Sequence, residues 1–187
     1  DAGDSIATEA FGGGRADNDR RFVLGDGAAA EGDEGGLAYL RSVARDRRPF
    51  FLVVSLVNPH DVLAYPRIWD DGGYDAAWLD GEIDLPPTWD EDLGTKPSAQ
   101  AASLGPLALG LGPLRTERQR RAYVNFYANL LVQADAALVR LLDTLEATGP
   151  LDGTLLVRAS DQGERGLPHG GLTRKTLNAK QEQLGDP

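Results

Sequence analysis

The 187 residues contain neither cysteine nor methionine. Without cysteine the chain can form no disulfide framework, no thiolate metal site and no thiol nucleophile. The longest apolar run, residues 50–57, is far shorter than a bilayer-spanning helix, so a membrane span is not expected. Because the chain lacks an initiator methionine and its last five residues offer no apolar closing element, we expect an internal fragment of a longer protein.

Positive charge is also in short supply. The formal net charge is -10, which disfavours nucleic acid and anionic membranes as partners because both require a cationic face. An acidic protein can still hold an anionic substrate when a bound cation inverts the local field. A hydrophobic content of 41% is sufficient for one buried core, so the expected class is globular.

The first 36 residues are rich in glycine, alanine and acid, and they predict a loop-rich flank. Within this flank, Asp17, Asn18 and Asp19 resemble the start of a calcium-binding loop. The alternating ligand spacing breaks at Arg21, however, and no bidentate glutamate follows at the required distance. The motif therefore does not predict a calcium loop.

Two segments predict helices. The apolar spacing over residues 37–45 predicts a short helix, and residues 116–148 show a much longer helical repeat. Thr116 and Gln119 have the spacing of a capping box, which marks the start of the long helix. Gly149 is followed by proline, a combination that ends helices. Three polar residues of this helix, Asn125, Asn129 and Asp135, are interpreted as structural contacts or solvent-facing groups.

Two apolar runs predict strands. Residues 50–57 read as a strand buried on both faces of a parallel sheet, and residues 154–157 read as a second strand. With the long helix between them they form a right-handed crossover, so the predicted class is α/β with a largely parallel sheet flanked by helices. Between them, residues 62–115 have no sustained period and predict turns and short segments, either functional or a surface insertion.

Candidate chemistry lies at the carboxyl ends of the two strands, where open α/β sheets bind ligands. Asp161 and Gln162 offer a carboxylate and an amide oxygen that suit a hard cation such as Ca²⁺ or Mg²⁺. The same residues followed by glycine are also common in turns. His60 could donate to a leaving oxygen, or it could be an ordinary loop histidine. If the strands are neighbours, His60 and Asp161 emerge on the same edge of the sheet.

Two further residues follow the second strand. Lys175 is a compact point charge suited to an oxyanion, or alternatively a solvated surface lysine. Lysine is scarce, with three lysines against sixteen arginines, which draws attention to this one. His169 is the only histidine besides His60, and both stand in glycine- or proline-bearing loops after strands.

Several blocks of the sequence occur in the order seen in one family of enzymes. From about residue 47 to 182, the chain resembles the type I, arylsulfatase-like sulfatases of the alkaline-phosphatase-like superfamily. The blocks are Pro49-Phe50-Phe51-Leu52, Asn58-Pro59-His60, Leu141-Leu142-Asp143-Thr144-Leu145-Glu146, Thr154-Leu155-Leu156-Val157, Ser160-Asp161-Gln162-Gly163-Glu164, His169-Gly170 and Lys175. The resemblance implies that residues 1–187 are a partial catalytic domain with its matching core at 37–182.

The resemblance also implies a reaction and a set of roles. A formylglycine hydrate would attack the sulfur of a small-molecule or glycan sulfate ester while one Ca²⁺ or Mg²⁺ ion polarises the sulfate oxygens. Asp161 and Gln162 match the metal ligands, and Lys175 matches the lysine that holds the sulfate. His60 matches the histidine that contacts the sulfate and assists the leaving group, and His169 falls beside the substrate.

The chain departs from the family pattern in two ways. The paired aspartates and the Cys or Ser, x, Pro, x, Arg signature are missing, and the nearest spelling, at residues 111–115, has leucine at the convertible position. The carboxyl-terminal subdomain is absent as well. Formylglycine is therefore expected only upstream, and the isolated chain is expected to be inactive. Two alternatives stay open, namely a phosphodiesterase or phosphonate monoester hydrolase of the same superfamily, and a non-catalytic remnant or binding module.

Overall fold

A computed structural model of the chain describes residues 15–25, 35–46, 49–149, 153–160 and 163–171. Four α-helices lie in these ranges: α1 (Gly36–Asp46), α2 (Ser98–Leu111), α3 (Glu117–Thr148) and α4 (Pro168–Gly171). A π-helical turn (Asp19–Val23) and 3-10 turns (His60–Ala64, Trp69–Gly72, Ala76–Leu79 and Leu93–Thr95) complete the regular structure. None of the described helices combines the length and apolar character that a membrane crossing requires.

Helix α3 begins and ends where the sequence predicts. The Thr116 hydroxyl accepts a hydrogen bond from the Gln119 backbone at 3.1 Å, and the Gln119 side chain accepts one from the Thr116 backbone at 3.1 Å. These reciprocal bonds satisfy two amides that the first turn leaves unpaired. At the other end Gly149 takes a φ of +90°, a conformation that glycine adopts without strain.

The described chain divides into two compact units. The first contains the described residues of Asp1–Asp61, Asp71–Tyr74 and Asn129–Leu156. The second contains those of Val62–Asp70, Asp75–Ala128 and Val157–Pro187. Helix α3 contributes its first part to the second unit and its last part to the first unit.

The core of the first unit lies between α1, the last part of α3 and the residue that follows the π-helical turn. Its buried members are Leu24, Leu37, Leu40, Ala137, Leu141 and Leu145. Alternate residues of the segment 49–57 pack against this cluster, namely Phe50, Leu52, Val54 and Leu56. The predicted helix over residues 37–45 is confirmed, and its apolar face covers this core.

Among the described residues, the segment 49–57 packs only one of its two sides against other parts of the chain. Phe51 is 88% exposed and Val53 is 71% exposed, while their neighbours pack inward, which is the two-residue period of extended chain. The second predicted strand is similarly open, with Leu155 89% exposed and Val157 80% exposed. No β-strand occurs in the described ranges, and the parallel sheet stays a prediction.

The second unit is centred on aromatic side chains. The fully buried Phe126 ring lies 6.2 Å from the Tyr65 ring and 6.4 Å from the Trp78 ring, centroid to centroid. The predicted structural role of Asn125 is confirmed, because its amide donates to the carbonyl oxygens of Ile83 and Arg121 at 3.2 and 2.8 Å. The buried Asn125 amide therefore helps to attach residue 83 of this unit to α3.

The excursion over residues 62–115 is only partly a series of turns. Three of its 3-10 turns agree with the prediction, but the prediction was wrong for residues 98–111, which form α2. Gly105 and Pro106 lie inside that helix and interrupt the apolar spacing by which a helix is recognised.

The core of the first unit yields a stability prediction. Leu145 is 3% exposed whereas Leu142, on the same helix, is 36% exposed. Leu145→Ala should lower the free energy of unfolding by roughly 2–5 kcal/mol through lost burial and the cavity left behind. The matched control Leu142→Ala should cost under about 1 kcal/mol. Urea unfolding measures both, and equal losses would show that this cluster is not the core.

Candidate active site

His60 begins a 3-10 turn at the carboxyl end of the segment 49–57. Its backbone amide donates to the Val57 carbonyl oxygen at 3.1 Å, which closes the turn on which the imidazole stands. The side chain is 35% exposed, so the ring is partly sheltered and partly accessible. The predicted role of His60 in contacting a ligand stays a prediction.

Asp61 places a buried carboxylate directly beside His60. The residue is 1% exposed, and its Oδ2 accepts a hydrogen bond from the Tyr74 hydroxyl. Its Oδ1 lies 3.9 Å from His60 Nδ1, too long for a hydrogen bond but within the range of an ion pair.

A second buried carboxylate holds the backbone just before His60. Asp19 is 7% exposed, and its Oδ1 accepts a hydrogen bond from the Val57 amide at 2.7 Å. Its Oδ2 accepts one from the Asn58 amide at 3.0 Å. Hydrogen bonds to an ionised carboxylate are about twice as strong as neutral ones. The loop that carries His60 is therefore held by Asp19, which lies 38 positions before Val57 in the chain.

The surroundings of these carboxylates are poorly solvated. Burial raises the pKa of Asp19, and the hydrogen bonds from Val57 and Asn58 oppose that rise. Burial, followed by the nearby charge of Asp61, raises the pKa of Tyr74 well above its usual range. Tyr74 is therefore a hydroxyl donor throughout the physiological range, as its bond to Asp61 requires.

Two buried amide side chains belong to the same unit. Asn18 is fully buried and Asn58 is 6% exposed. In the described part of the chain, neither the Asn18 amide nor the Asn58 Oδ1 has a hydrogen-bond partner. No group of three or more histidine, aspartate or glutamate side chains is arranged for a metal ion among the described residues.

The other predicted site residues fall wholly or partly outside the part of the chain that the structure describes. Asp161, Gln162 and Lys175 lie outside the described residues. The backbone of His169 belongs to α4, but its side chain also lies outside the described part. Their predicted roles as metal ligands and substrate contacts stay predictions.

The segment that follows Gln162 is described, and it is firmly attached to its own unit. The hydroxyl of Tyr123, which is 1% exposed, donates to Glu164 Oε1 at 2.6 Å. Farther along, the Gly170 amide donates to the Thr88 carbonyl oxygen at 3.2 Å. Leu167 is fully buried between these two anchors. The residues after the predicted metal ligands are thus held by α3 and by the excursion.

Comparison with known proteins identifies the family. The sequence model of the Sulfatase family matches residues 34–187. The chain belongs to the Sulfatase family. It is also 34% identical over 127 residues to a choline-sulfatase from Rhizobium meliloti (strain 1021). That match covers 65% of this chain but 23% of the relative, so this sulfatase chain spans about a quarter of the protein it resembles. No solved structure matches it.

Sequence reasoning missed part of the surroundings of His60 in this sulfatase chain. Asp19 was noted only as part of a rejected calcium loop, and Tyr74 was not singled out. The available signal was local: two arginines after Asp19, a short apolar run begins that ends in Leu24, which enters the core. Nothing in that run indicates that Asp19 contacts Val57 and Asn58, since the contact spans 38 residues.

The contact between Tyr74 and Asp61 yields a second prediction. Tyr74→Phe should lower the free energy of unfolding by about 1.5–3 kcal/mol, because it removes a donor from a buried charged acceptor. The control is Tyr39→Phe, since Tyr39 is 39% exposed and its ring packs edge-on against Phe50 without needing the hydroxyl. Chemical unfolding of the three proteins decides the matter, and equal stability of the two variants would contradict the role given to Tyr74.

Proposed function

We propose that this chain is part of a metal-dependent sulfatase that hydrolyses a sulfate ester. The observation that carries the proposal is the family match over residues 34–187, which includes His60 on its anchored turn. In that turn the His60 imidazole is partly accessible and lies beside the buried Asp61 carboxylate. The backbone just before it is held by Asp19. This arrangement suits a group that must meet a substrate in one fixed orientation.

His60 is assigned to contact the leaving oxygen of the ester and to assist its departure. Because Asp61 Oδ1 lies 3.9 Å from Nδ1, that nitrogen is the one favoured to keep its proton. With Nε2 also protonated, the ring would donate a hydrogen bond to the ester oxygen and transfer that proton to it as the sulfur–oxygen bond breaks, so that the alcohol leaves neutral.

Lys175 and the pair Asp161 and Gln162 complete the proposed chemistry. Lys175 would pair with the sulfate oxygens, where its compact charge offsets the negative charge of the transferring group. The donors of Asp161 and Gln162 are both oxygens and fit Ca²⁺ or Mg²⁺. When bound, such a cation supplies positive charge that polarises the sulfate oxygens.

A small sulfate ester is the proposed substrate, with choline sulfate as the first candidate. Support comes from the 34% identity to a choline-sulfatase. The net charge of -10 adds a physical argument, because an acidic surface attracts a quaternary ammonium group while it repels a simple anion. We further propose the α/β fold with a parallel sheet, for which the alternate burial along residues 49–57 supports only the extended conformation that a strand requires.

The isolated chain is predicted to bind Ca²⁺ weakly, with a dissociation constant of about 1 mM or above, and to cleave no aryl sulfate. The reason is that the Cys or Ser, x, Pro, x, Arg signature is absent from the 187 residues. Joined to a region that supplies this signature, the chain should hydrolyse choline sulfate. Lys175→Ala should then lower kcat/KM by at least about 100-fold.

Lys180→Ala is the matched control, because it removes the same charge five positions away and should leave turnover unchanged. The phosphate ester of the same alcohol is assayed in parallel. Faster hydrolysis of the phosphate would favour the phosphoesterase alternative, and no turnover of either ester would favour a non-catalytic remnant. Turnover by the isolated chain that disappears in Lys175→Ala would contradict the requirement for an upstream nucleophile.

A further inference from the structure

The carboxylate of Asp19 reaches the backbone that leads into His60. Its two oxygens accept separate hydrogen bonds, from the Val57 amide at 2.7 Å and from the Asn58 amide at 3.0 Å. The Val57 carbonyl oxygen in turn accepts from the His60 amide at 3.1 Å. An unbroken series of contacts therefore connects the Asp19 side chain to the His60 backbone.

Only a carboxylate satisfies this pair of donors. Two neighbouring backbone amides present two hydrogens, and an aspartate offers an acceptor oxygen to each of them. An asparagine offers one acceptor, and its amide group would set a donor against a donor. A residue that is 7% exposed cannot recover the lost bond from bulk water. The identity of the side chain thus matters, beyond its size.

Asp19 is itself held in place from both sides. Its carbonyl oxygen accepts from the Leu24 amide at 2.9 Å, which closes the π-helical turn Asp19–Val23. Leu24 then enters the core of the first unit. On the other side, the Ala16 amide donates to the Gly72 carbonyl oxygen at 2.9 Å. The residue that holds the His60 loop, Asp19, is therefore attached to the packed interior, so it can fix the position of the loop.

We propose that Asp19 is a positioning residue for His60, fixing the loop so that the imidazole is presented in one orientation to the sulfate ester. The inference rests on the proposed function, because the role of His60 does. It goes beyond the family match, since Asp19 lies outside the matched residues 34–187. Asp19 touches no substrate on this account and acts only through the His60 loop.

The chain has a built-in reference for the test, because His60 and His169 are its only histidines. The ring resonances of both are recorded by ¹H–¹⁵N NMR in the wild-type chain and in Asp19→Asn. We expect the His60 ring resonances to shift or broaden while those of His169 stay unchanged. The matched control is Asp17→Asn, since the Asp17 carboxylate pairs with Arg15 at 3.4 Å and not with the His60 loop in the described part of the chain, so both rings should stay unchanged.

Unchanged His60 resonances in Asp19→Asn, or equal changes in Asp19→Asn and Asp17→Asn, would overturn the inference. If Asp19→Asn fails to fold, Asp19→Glu serves instead, because it keeps two acceptor oxygens on a longer stem. It should displace the His60 signals and spare those of His169, and wild-type signals from both rings would again overturn the inference.

Kinetics of the assembled enzyme separate this inference from the proposed function. Asp19→Asn should lower kcat about 10- to 100-fold, with KM changed far less, because misplacement of a reacting group costs mainly in the transition state. A change in KM alone would contradict positioning. Failure of the wild-type enzyme to cleave any sulfate ester would overturn the proposed function, while the NMR comparison would still decide whether Asp19 orders the His60 loop.

Discussion

Two hydrogen bonds, from the Val57 and Asn58 amides to one buried carboxylate, determine how the first unit presents its chemistry. The segment 49–57 packs one side against the core and leaves the other side exposed. No strand in the described ranges pairs with it. Its carboxyl end therefore depends on Asp19 for its position, and the turn that carries His60 follows directly from that end.

This arrangement has an energetic cost, because it buries charged side chains. Asp19 and Asp61 are both nearly inaccessible, and the charge of Asp61 adds to the burial that raises the pKa of Asp19. The fold offsets the cost with two backbone donors at Asp19 and the Tyr74 hydroxyl at Asp61. A structure that served stability alone would gain more from apolar residues at these positions. Paired buried carboxylates around a partly exposed histidine are more readily explained by the need to hold that histidine.

Local signals explain what could be predicted from the sequence. Helix α3 was predicted correctly because its capping box, apolar period and terminal glycine all lie within the helix itself. Helix α2 was missed because Gly105 and Pro106 interrupt its pattern. The hydrogen bonds from Val57 and Asn58 to Asp19 could not be predicted, because the sequence does not distinguish a buried aspartate from a solvated one. Only the folded chain brings these two residues next to Asp19. The role of His60 stays a prediction, and its contacts with Asp61 and its link to Asp19 were not foreseen.

Amide hydrogen exchange in the wild-type chain tests the central claim most directly. The Val57 and Asn58 amides should exchange at least about 10- to 100-fold more slowly than those of Phe51 and Val53, whose amides have no hydrogen-bond partner in the described part of the chain. Protection confined to the end of the segment would show that the carboxylate holds it there. Exchange of Val57 and Asn58 as fast as that of Phe51 and Val53 would contradict the account, because the His60 loop would then have no anchor.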